Sequence, residues 1–167
     1  ADAFACTPIV ASGPSGGLPH AVAGGRQFGQ GDWVVVDWGA NVGGYASDLT
    51  RMVVIGEPTG PLHRIYDVVL RANRIGCEAV QPGVEAQQVD AATRAVIADA
   101  GYGPQFVHRT GHGLGLETHE SPYLVAGNLI VLEPGMTFTV EPGIYVKGFG
   151  GVRIEDDVAV TEDGVEV

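Results

Sequence analysis

The feature that most constrains this chain is a spacing pattern of glycines and carboxylates that occurs twice. In each copy a carboxylate stands six residues after one glycine and two before another. A second carboxylate then stands five residues after the first glycine of a Gly-Gly pair. The first copy supplies Asp37 and Asp48, and the second supplies Glu141 and Glu155. Acids at hairpin ends are common turn formers, but chance does not place a second pair in the same spacing pattern. The repeat therefore predicts two similar halves that each contribute two metal ligands.

A fifth candidate ligand is His112, in the segment His-Arg-Thr-Gly-His-Gly-Leu-Gly at 108–115. The glycines on either side of it let other backbone approach closely. Four carboxylates and one imidazole suit a pair of divalent ions better than a single ion. The run Glu155, Asp156, Asp157 leaves open which of three carboxylates binds, and the offset of the repeat favours Glu155.

Further polar residues lie in segments that have no obvious structural need for them. His20, in Leu-Pro-His, and His119, in Thr-His-Glu-Ser-Pro, are either loop histidines or donors of a proton or hydrogen bond to a substrate. Arg153 precedes Glu155 by two residues, so on a strand both point to one face and the guanidinium could brace the ligand carboxylates. His63 is assigned no function.

The net charge and the absence of phosphate-binding motifs restrict the partners and reactions that this chain can have. The net charge of −11 argues against nucleic acid and anionic membranes as partners, and no apolar run is long enough to span a bilayer. Two ions would lower the pKa of a bridging water and polarise a carbonyl or phosphoryl oxygen. Basic residues are few, and a Gly-x-Gly-x-x-Gly fingerprint between a strand and a helix is absent. Hydrolysis of a carbonyl compound is therefore the favoured interpretation.

The hydrophobic pattern predicts one α+β domain. Apolar residues at helical spacing predict one helix from Pro61 to Pro82 and another from Val84 to Ala100. Apolar runs bounded by glycine predict the strands. The predicted strands are 7–11, 33–37, 45–55, short pieces within 106–125, 137–141 and 152–161.

The two halves differ in what precedes their site residues. The second half has two helices and roughly fifty residues before His112, whereas the first half has only about eleven residues before the equivalent place. We therefore expect residues 1–167 to be a catalytic domain truncated at its N-terminus. A sheet of this kind needs helices on its outer face. We expect alternate residues of 33–36 and 51–55 to form an uncovered apolar face that promotes association.

At these residues the sequence resembles the pita-bread metallopeptidases, specifically the Xaa-Pro aminopeptidase and Xaa-Pro dipeptidase (prolidase) branch. The resemblance covers nearly the whole chain and rests on three groups of segments. The quoted segments are Val-Asp-Trp-Gly-Ala at 36–40 with 44–51, His-Arg-Thr-Gly-His-Gly-Leu-Gly-Leu at 108–116 with His-Glu-Ser-Pro at 119–122, and 132–136, 140–143 and 151–157.

The resemblance implies a creatinase/aminopeptidase-like fold with a pseudo-twofold repeat and a curved, largely antiparallel sheet. It also implies a dinuclear site that is usually loaded with manganese and sometimes with cobalt or zinc. Glu141 would act both as a ligand and as the proton acceptor for the bridging water, His20 and His119 would handle the scissile amide, and His108 and Arg153 would support substrate binding. The implied ligands are Asp37, Asp48, His112, Glu141 and Glu155.

The expected reaction is hydrolysis of the peptide bond on the N-terminal side of proline by a metal-bridged water, in peptides with proline at the second position. Alternatives are another amide hydrolase of this fold, such as a methionine aminopeptidase, and a peptide-binding module without activity. The family normally carries two helices before the first strand and a separate N-terminal domain, and neither is present in these residues. The resemblance further implies a homodimer of the full-length chain, and the absence of a signal-peptide pattern favours the cytoplasm.

Overall fold

More residues lie in strands than in α-helices, and the α-helices lie in the middle of the chain. The computed structural model describes residues 1–58 and 60–167. Within them the helices are α1 (Leu62–Ala79) and α2 (Ala86–Asp99). The strands are β1 (Ala3–Phe4), β2 (Ile9–Ser12), β3 (Trp33–Trp38), β4 (Ala40–Val42), β5 (Tyr45–Ala46), β6 (Leu49–Val54), β7 (Gly111–Gly113), β8 (Glu120–Leu124), β9 (Thr137–Val140), β10 (Gly143–Val146), β11 (Gly150–Arg153), β12 (Asp156–Val160) and β13 (Val165–Glu166).

The predicted internal repeat is visible in the strand pairing. Strand β3 pairs antiparallel with β6, and β9 pairs antiparallel with β12. Between the members of each pair lies a short hairpin, β4–β5 in the first half and β10–β11 in the second. The α+β class and the two mirrored strand pairs are thus confirmed.

The prediction of one continuous strand over 45–55 was wrong. Strand β5 pairs with β4, whereas β6 pairs with β3. The chain must leave one sheet and enter the other at Ser47 and Asp48, which lie in neither strand. Asp48 therefore sits at the junction of the two sheets rather than within a strand.

The helices cover the sheet of the second half. Their apolar stripes follow the predicted spacing: Ile65, Val69 and Ala72 of α1 are buried, as are Val89 and Ile97 of α2. Glu85 precedes α2, and its N–H donates to the side-chain oxygen of Gln88 in the first turn at 2.9 Å. Other predicted stripe residues at the ends of the helices are only half-buried. These are Leu62, Ala79, Val96 and Ala100. Neither helix, in the part of the chain that the structure describes, is long and apolar enough to cross a membrane.

The outer face of the first-half sheet is only partly uncovered. Val53 is 46% exposed and Val10 is 38% exposed. Val34, which we expected on the same uncovered face, is instead only 2% exposed. The Arg26 guanidinium donates a hydrogen bond to Ser12, the register partner of Val34, so the loop that carries Arg26 lies near this end of the sheet. The apolar face is therefore smaller than the sequence predicted.

The two helices approach each other closely at Gly76 of α1. A Cβ atom at Gly76 would lie 2.5 Å from Thr93 Oγ1 and 2.8 Å from a Val140 methyl carbon. Thr93 is fully buried, and its hydroxyl donates to the Val89 carbonyl, so it has little freedom to move. The packing of α1 against both α2 and β9 thus requires glycine here.

We predict that Gly76→Ala lowers the free energy of unfolding by about 1–3 kcal/mol, because overpacking outweighs the gain in helix propensity. Chemical denaturation measures this change. Gly24→Ala is the matched control, since a Cβ there meets nothing within 4 Å, and it should change stability by less than about 0.5 kcal/mol. A stabilised Gly76→Ala variant would contradict the assigned packing.

Candidate metal centre

Carboxylates from both halves converge on one cavity of about 630 Å³. Asp37 lies near the end of β3 and Asp48 directly precedes β6. Glu141 directly follows β9, and Glu155 lies between β11 and β12. Each side chain comes from a strand end or a junction, where the pairing changes. The cavity is also lined by residues of other types, among them Cys6, His20, His108, Arg109, His112, His119 and Arg153.

Two triads of potential ligand atoms share Asp48. Atoms of Asp48, His112 and Glu155 all lie within 4.8 Å of one another, and so do atoms of Cys6, Asp37 and Asp48. Asp48 is 6% exposed, and its Oδ1 accepts no hydrogen bond from any residue that the structure describes. A buried carboxylate oxygen without a donor is costly, and a cation would satisfy it. The residues present therefore fit divalent metal ions, which Asp48 would help to hold.

His112 presents its free lone pair to the carboxylates. Its Nδ1 lies 3.1 Å from the Gly113 carbonyl oxygen. A carbonyl can only accept, so Nδ1 carries the proton and Nε2 is left unprotonated. Nε2 lies 3.4 Å from Glu141 Oε1 and 3.9 Å from Asp48 Oδ2. Burial lowers the pKa of His112 to about 4, so these contacts are not ion pairs at neutral pH. The imidazole has the tautomer and direction of a metal ligand.

Backbone packing holds the His112 strand in place. A Cβ atom at Gly111 would overlap the Thr139 carbonyl oxygen, so only glycine permits this approach of β7 to β9. The His112 N–H donates to Thr139 Oγ1 at 3.1 Å. On the other side the Thr110 hydroxyl donates to the buried carboxylate of Asp90 at 2.7 Å. The histidine is thus positioned by both the sheet and helix α2.

Arg153 connects the two halves beneath the cavity. The guanidinium is 4% exposed and pairs with Asp37. Its Nε donates to Thr50 Oγ1 at 3.0 Å, and that hydroxyl donates to Glu155 Oε2 at 2.6 Å. Arg153 thus contacts one carboxylate of the first half directly and reaches Glu155 of the second half through Thr50. This geometry is that of a brace for the carboxylates.

His108 extends this hydrogen-bonded array. Its Nδ1 lies 2.7 Å from the Arg109 carbonyl oxygen, so it carries the proton, and its Nε2 accepts from the Tyr145 hydroxyl at 2.8 Å. Tyr145 in turn accepts from Arg153 Nη1 at 2.8 Å. Burial lowers the pKa of His108 to about 4, which keeps the imidazole neutral. Both ring nitrogens of His108 are therefore occupied by protein groups.

The structure distinguishes the three acids of the run at 155–157. Glu155 is 2% exposed and lines the cavity. Asp156 pairs with Arg51 away from the cavity. Asp157 Oδ2 accepts the Asp48 backbone N–H at 3.1 Å. Only Glu155 of the three thus reaches the cavity, and Asp157 supports the segment that carries Asp48.

Two further histidines line the cavity. The ring of His119 lies 4.1 Å, centroid to centroid, from that of His112. The pKa of His119 is lowered chiefly by burial. His20 lines the same cavity. His63 lies elsewhere, next to Trp33 and 3.8 Å from Asp67 on the first turns of α1.

Several residues around the cavity were not singled out from the sequence. Thr50 follows Asp48 by two residues, and strand alternation could have placed it on the same face. Tyr145 and Cys6 had no comparable signal, because long-range pairing brings them to the site. Arg109 stood in the quoted histidine segment without a role.

The pKa values of three carboxylates of the site are raised. Burial, and next the charge of Asp37, raises the pKa of Asp48 to about 7. Burial also raises the pKa of Glu141 to about 8 and that of Glu155 well above its ordinary value. Four acids in one buried cavity cannot all be ionised without compensating cations. Two divalent ions would supply four positive charges and reverse these shifts.

This cluster of carboxylates and imidazoles, at the junction of two repeated halves, is a candidate site for divalent metal ions. The chain belongs to metallopeptidase family M24, whose sequence model matches residues 1–162. The family predicted from the sequence is thus confirmed.

Individual relatives support the same assignment. The chain is 56% identical over 157 residues to a probable dipeptidase, PepE, of Mycobacterium tuberculosis, which covers 93% of this chain and 42% of that protein. It superimposes with a TM-score of 0.96 and 47% identity on the crystal structure of a prolidase from Thermococcus sibiricus, over 99% of this chain and 45% of that one. The chain also superimposes on the crystal structure of an X-Pro aminopeptidase from Thermotoga maritima, with a TM-score of 0.96 and 41% identity. This match covers 99% of this chain and 47% of that one. The pita-bread fold is thereby confirmed. The chain spans less than half the length of each of these relatives.

We predict that the metal-free protein becomes less stable as pH rises. The folded-state pKa values of Asp48 and Glu141 lie above their ordinary values of 3.8 and 4.5. The native state therefore binds more protons than the unfolded state, and the associated stability, fully present below about pH 4, is lost as pH rises through 7 to 8. Urea denaturation in a chelator should show stability falling between pH 5 and pH 8.5, by about 1.4 kcal/mol per pH unit for each proton that only the native state binds.

The control for this prediction is the Asp48→Asn/Glu141→Gln double variant, in which the same pH change should have a much smaller effect. Saturating manganese should reverse the sign for the wild type, because the ions bind the deprotonated ligands. A wild-type protein whose stability without metal rises between pH 5 and pH 8.5 would contradict the assigned burial.

Proposed function

We propose that the full-length protein is a dinuclear metal-dependent exopeptidase that cleaves Xaa-Pro peptide bonds. The observation that carries this proposal is the convergence of four carboxylates and one imidazole on one cavity, beside His20 and His119. Membership of family M24 supports it. The names of similar proteins, a prolidase and an X-Pro aminopeptidase, point to the same substrate class.

Five residues would hold the ions. When bound, two divalent ions lower the pKa of a water molecule and polarise the carbonyl of the scissile amide. Oxygen-rich ligation favours manganese, and the imidazole also accepts cobalt or zinc. The complete ligand set argues against the non-catalytic module, because bound cations would offset the desolvation of these carboxylates. The proposed ligands are Asp37, Asp48, His112, Glu141 and Glu155.

Residues around the ions would transfer the protons and donate hydrogen bonds to the substrate. Glu141 faces the cavity and accepts the proton that the attacking water loses. His119 stays neutral at pH 7 because burial lowers its pKa, so it donates an N–H to the amide as charge develops there. His20, on the same cavity, handles the other side of the scissile amide.

Arg153 and His108, which also line the cavity, support substrate binding by holding other residues of the site. Arg153 fixes Asp37, and His108 fixes Tyr145, which in turn accepts from Arg153. Their hydrogen bonds orient the carboxylates before substrate arrives, which is the preorganisation that catalysis needs.

The substrate class can be tested with full-length protein that has been stripped by chelator and reloaded with manganese. We expect hydrolysis of Ala-Pro and Ala-Pro-Ala, and at least about 10²-fold slower hydrolysis of Met-Ala and Met-Ala-Ala. Stripped protein is the control and should be inactive. Elemental analysis should find two manganese ions per chain in the reloaded sample. Cleavage of the Met-Ala peptides alone would favour a methionine aminopeptidase, and peptide binding without cleavage would favour a module.

Variants separate the ligands from the proton-handling residues. We predict that His119→Ala and His20→Ala each lower turnover about 10²-fold while metal content stays nearly unchanged. Asp48→Ala and Glu141→Ala should lose metal as well as activity, since each removes a buried ligand. Turnover and elemental analysis on the same samples measure both effects. If His119→Ala lost metal as completely as Glu141→Ala, this division of roles would be wrong.

Assembly and location belong to the proposal as well. We infer a homodimer of the full-length chain and a cytoplasmic site of action, and we infer that a segment preceding these residues covers Val10 and Val53. The share of each relative that the chain spans supports the existence of such a segment.

A further inference from the structure

Arg109 is a cation on the cavity wall that has no carboxylate partner. It stands between His108 and Thr110, in the segment that leads into β7, and it lines the cavity. Its guanidinium carbon lies 4.8 Å from the centroid of the Tyr123 ring. Among residues 1–58 and 60–167, no carboxylate forms an ion pair with Arg109, and no acceptor takes a hydrogen bond from its side chain.

Two neighbouring arginines show what a structural arginine looks like in this protein. Arg94 also lies over an aromatic ring, 4.1 Å from the centroid of Phe106, but it pairs with Asp90 and donates to the Phe106 and His108 carbonyls. Arg153, the other arginine of the cavity, is occupied by Asp37 and its neighbours. Arg109 alone of these three keeps its planar set of donors available to a ligand.

The position of Arg109 relates it to the reacting groups. Tyr123, on which it stacks, is the register partner of His112 across β7 and β8. Burial and next the positive charge of Arg109 lower the pKa of His119, so this charge acts on the cavity beside the proposed proton-handling residue. The guanidinium therefore lies on the wall next to the metal-centre histidine and not at a distant rim.

The surroundings of Arg109 match the end of a short peptide. Tyr123 and Val125, which are 36% and 38% exposed, provide apolar surface on the same cavity. A pyrrolidine ring packs on such surface. One residue spans about 3.5 Å, so the carboxylate of an Xaa-Pro dipeptide lies within one residue length of the scissile bond. A guanidinium binds a carboxylate through two parallel hydrogen bonds, which a neutral amide cannot accept in the same way.

We propose that Arg109 binds the C-terminal carboxylate of the substrate and thereby selects Xaa-Pro dipeptides over longer Xaa-Pro peptides. This inference rests on the proposed function and deepens it, because the fold is shared with both a prolidase and an X-Pro aminopeptidase and does not distinguish them. Arg109 is then a substrate-binding residue that leaves the metal ligands and the proton transfers to other groups.

The test compares Ala-Pro with its C-terminal amide in the manganese-loaded, full-length protein. The wild type should prefer the free acid in kcat/KM. In Arg109→Gln, kcat/KM should fall about 10- to 100-fold for Ala-Pro, mainly because KM rises. For the amide it should fall about 3-fold or less. Arg109→Lys keeps the positive charge but loses the paired, planar N–H donors of the guanidinium, so kcat/KM for Ala-Pro should fall by an intermediate factor. Arg71→Gln, on the exposed surface of α1, is the charge-matched control and should behave as the wild type.

Two outcomes would overturn the proposal. One is an equal loss on Ala-Pro and its amide with a shifted pH profile, which would mean that Arg109 acts on His119. The other is a wild type that cleaves Ala-Pro-Ala as efficiently as Ala-Pro while Arg109→Gln changes neither. Elemental analysis should show unchanged metal content in both variants, and circular dichroism should show unchanged folding.

A failure of the proposed peptidase function can be distinguished from a failure of the Arg109–carboxylate contact. If the wild type cleaves no Xaa-Pro peptide, calorimetry of Ala-Pro and its amide binding to the wild type and Arg109→Gln still tests the carboxylate contact. Tighter binding of the acid that is lost in Arg109→Gln supports the contact, and equal binding of acid and amide to the wild type rejects it.

Discussion

The repulsion among four carboxylates that share one cavity, two of them buried and two half-buried, is the constraint on which the rest of this structure depends. Arg153 compensates Asp37 directly, and burial raises the pKa of Asp48, Glu141 and Glu155. Desolvating this many acids opposes folding unless cations or protons accompany them. A site of this kind links folding, proton binding and metal binding, because the same oxygens take part in all three.

The two halves of the chain meet at this cluster, and their junction is itself polar. Thr50 of the first half donates to Glu155 of the second, and the Glu155 N–H donates to the Thr50 carbonyl oxygen at 3.2 Å. Arg51 donates to the Glu155 carbonyl oxygen, and Asp157 accepts from the Asp48 backbone. These contacts orient the proposed ligands from both halves before any ion binds. The internal repeat thus does more than duplicate ligands, since the interface between its copies is the site.

The arginines of the chain illustrate how one side chain serves different purposes. Arg94 satisfies a buried aspartate and two carbonyls and so holds the histidine segment against α2. Arg153 satisfies Asp37 and orients Thr50 and Tyr145. Arg109 stacks on Tyr123 and keeps its hydrogen-bond donors for the cavity. What separates them is the set of acceptors within reach, which is a property of the packing rather than of residue type.

The sequence by itself determined the α+β class, the span of both helices within a few residues, the two mirrored strand pairs and the set of candidate ligands. Those features depend on local periodicity and on a glycine spacing pattern that repeats along the chain. The offset of the repeat favoured Glu155 over Asp156 and Asp157, and the tertiary structure shows why: Arg51 and the Asp48 N–H engage the other two acids. Tertiary structure alone decided that Asp48 leaves the strand and that Val34 is covered. Side-chain direction at such positions is set by strand register and by partners about a hundred residues away, and neither is encoded in local spacing.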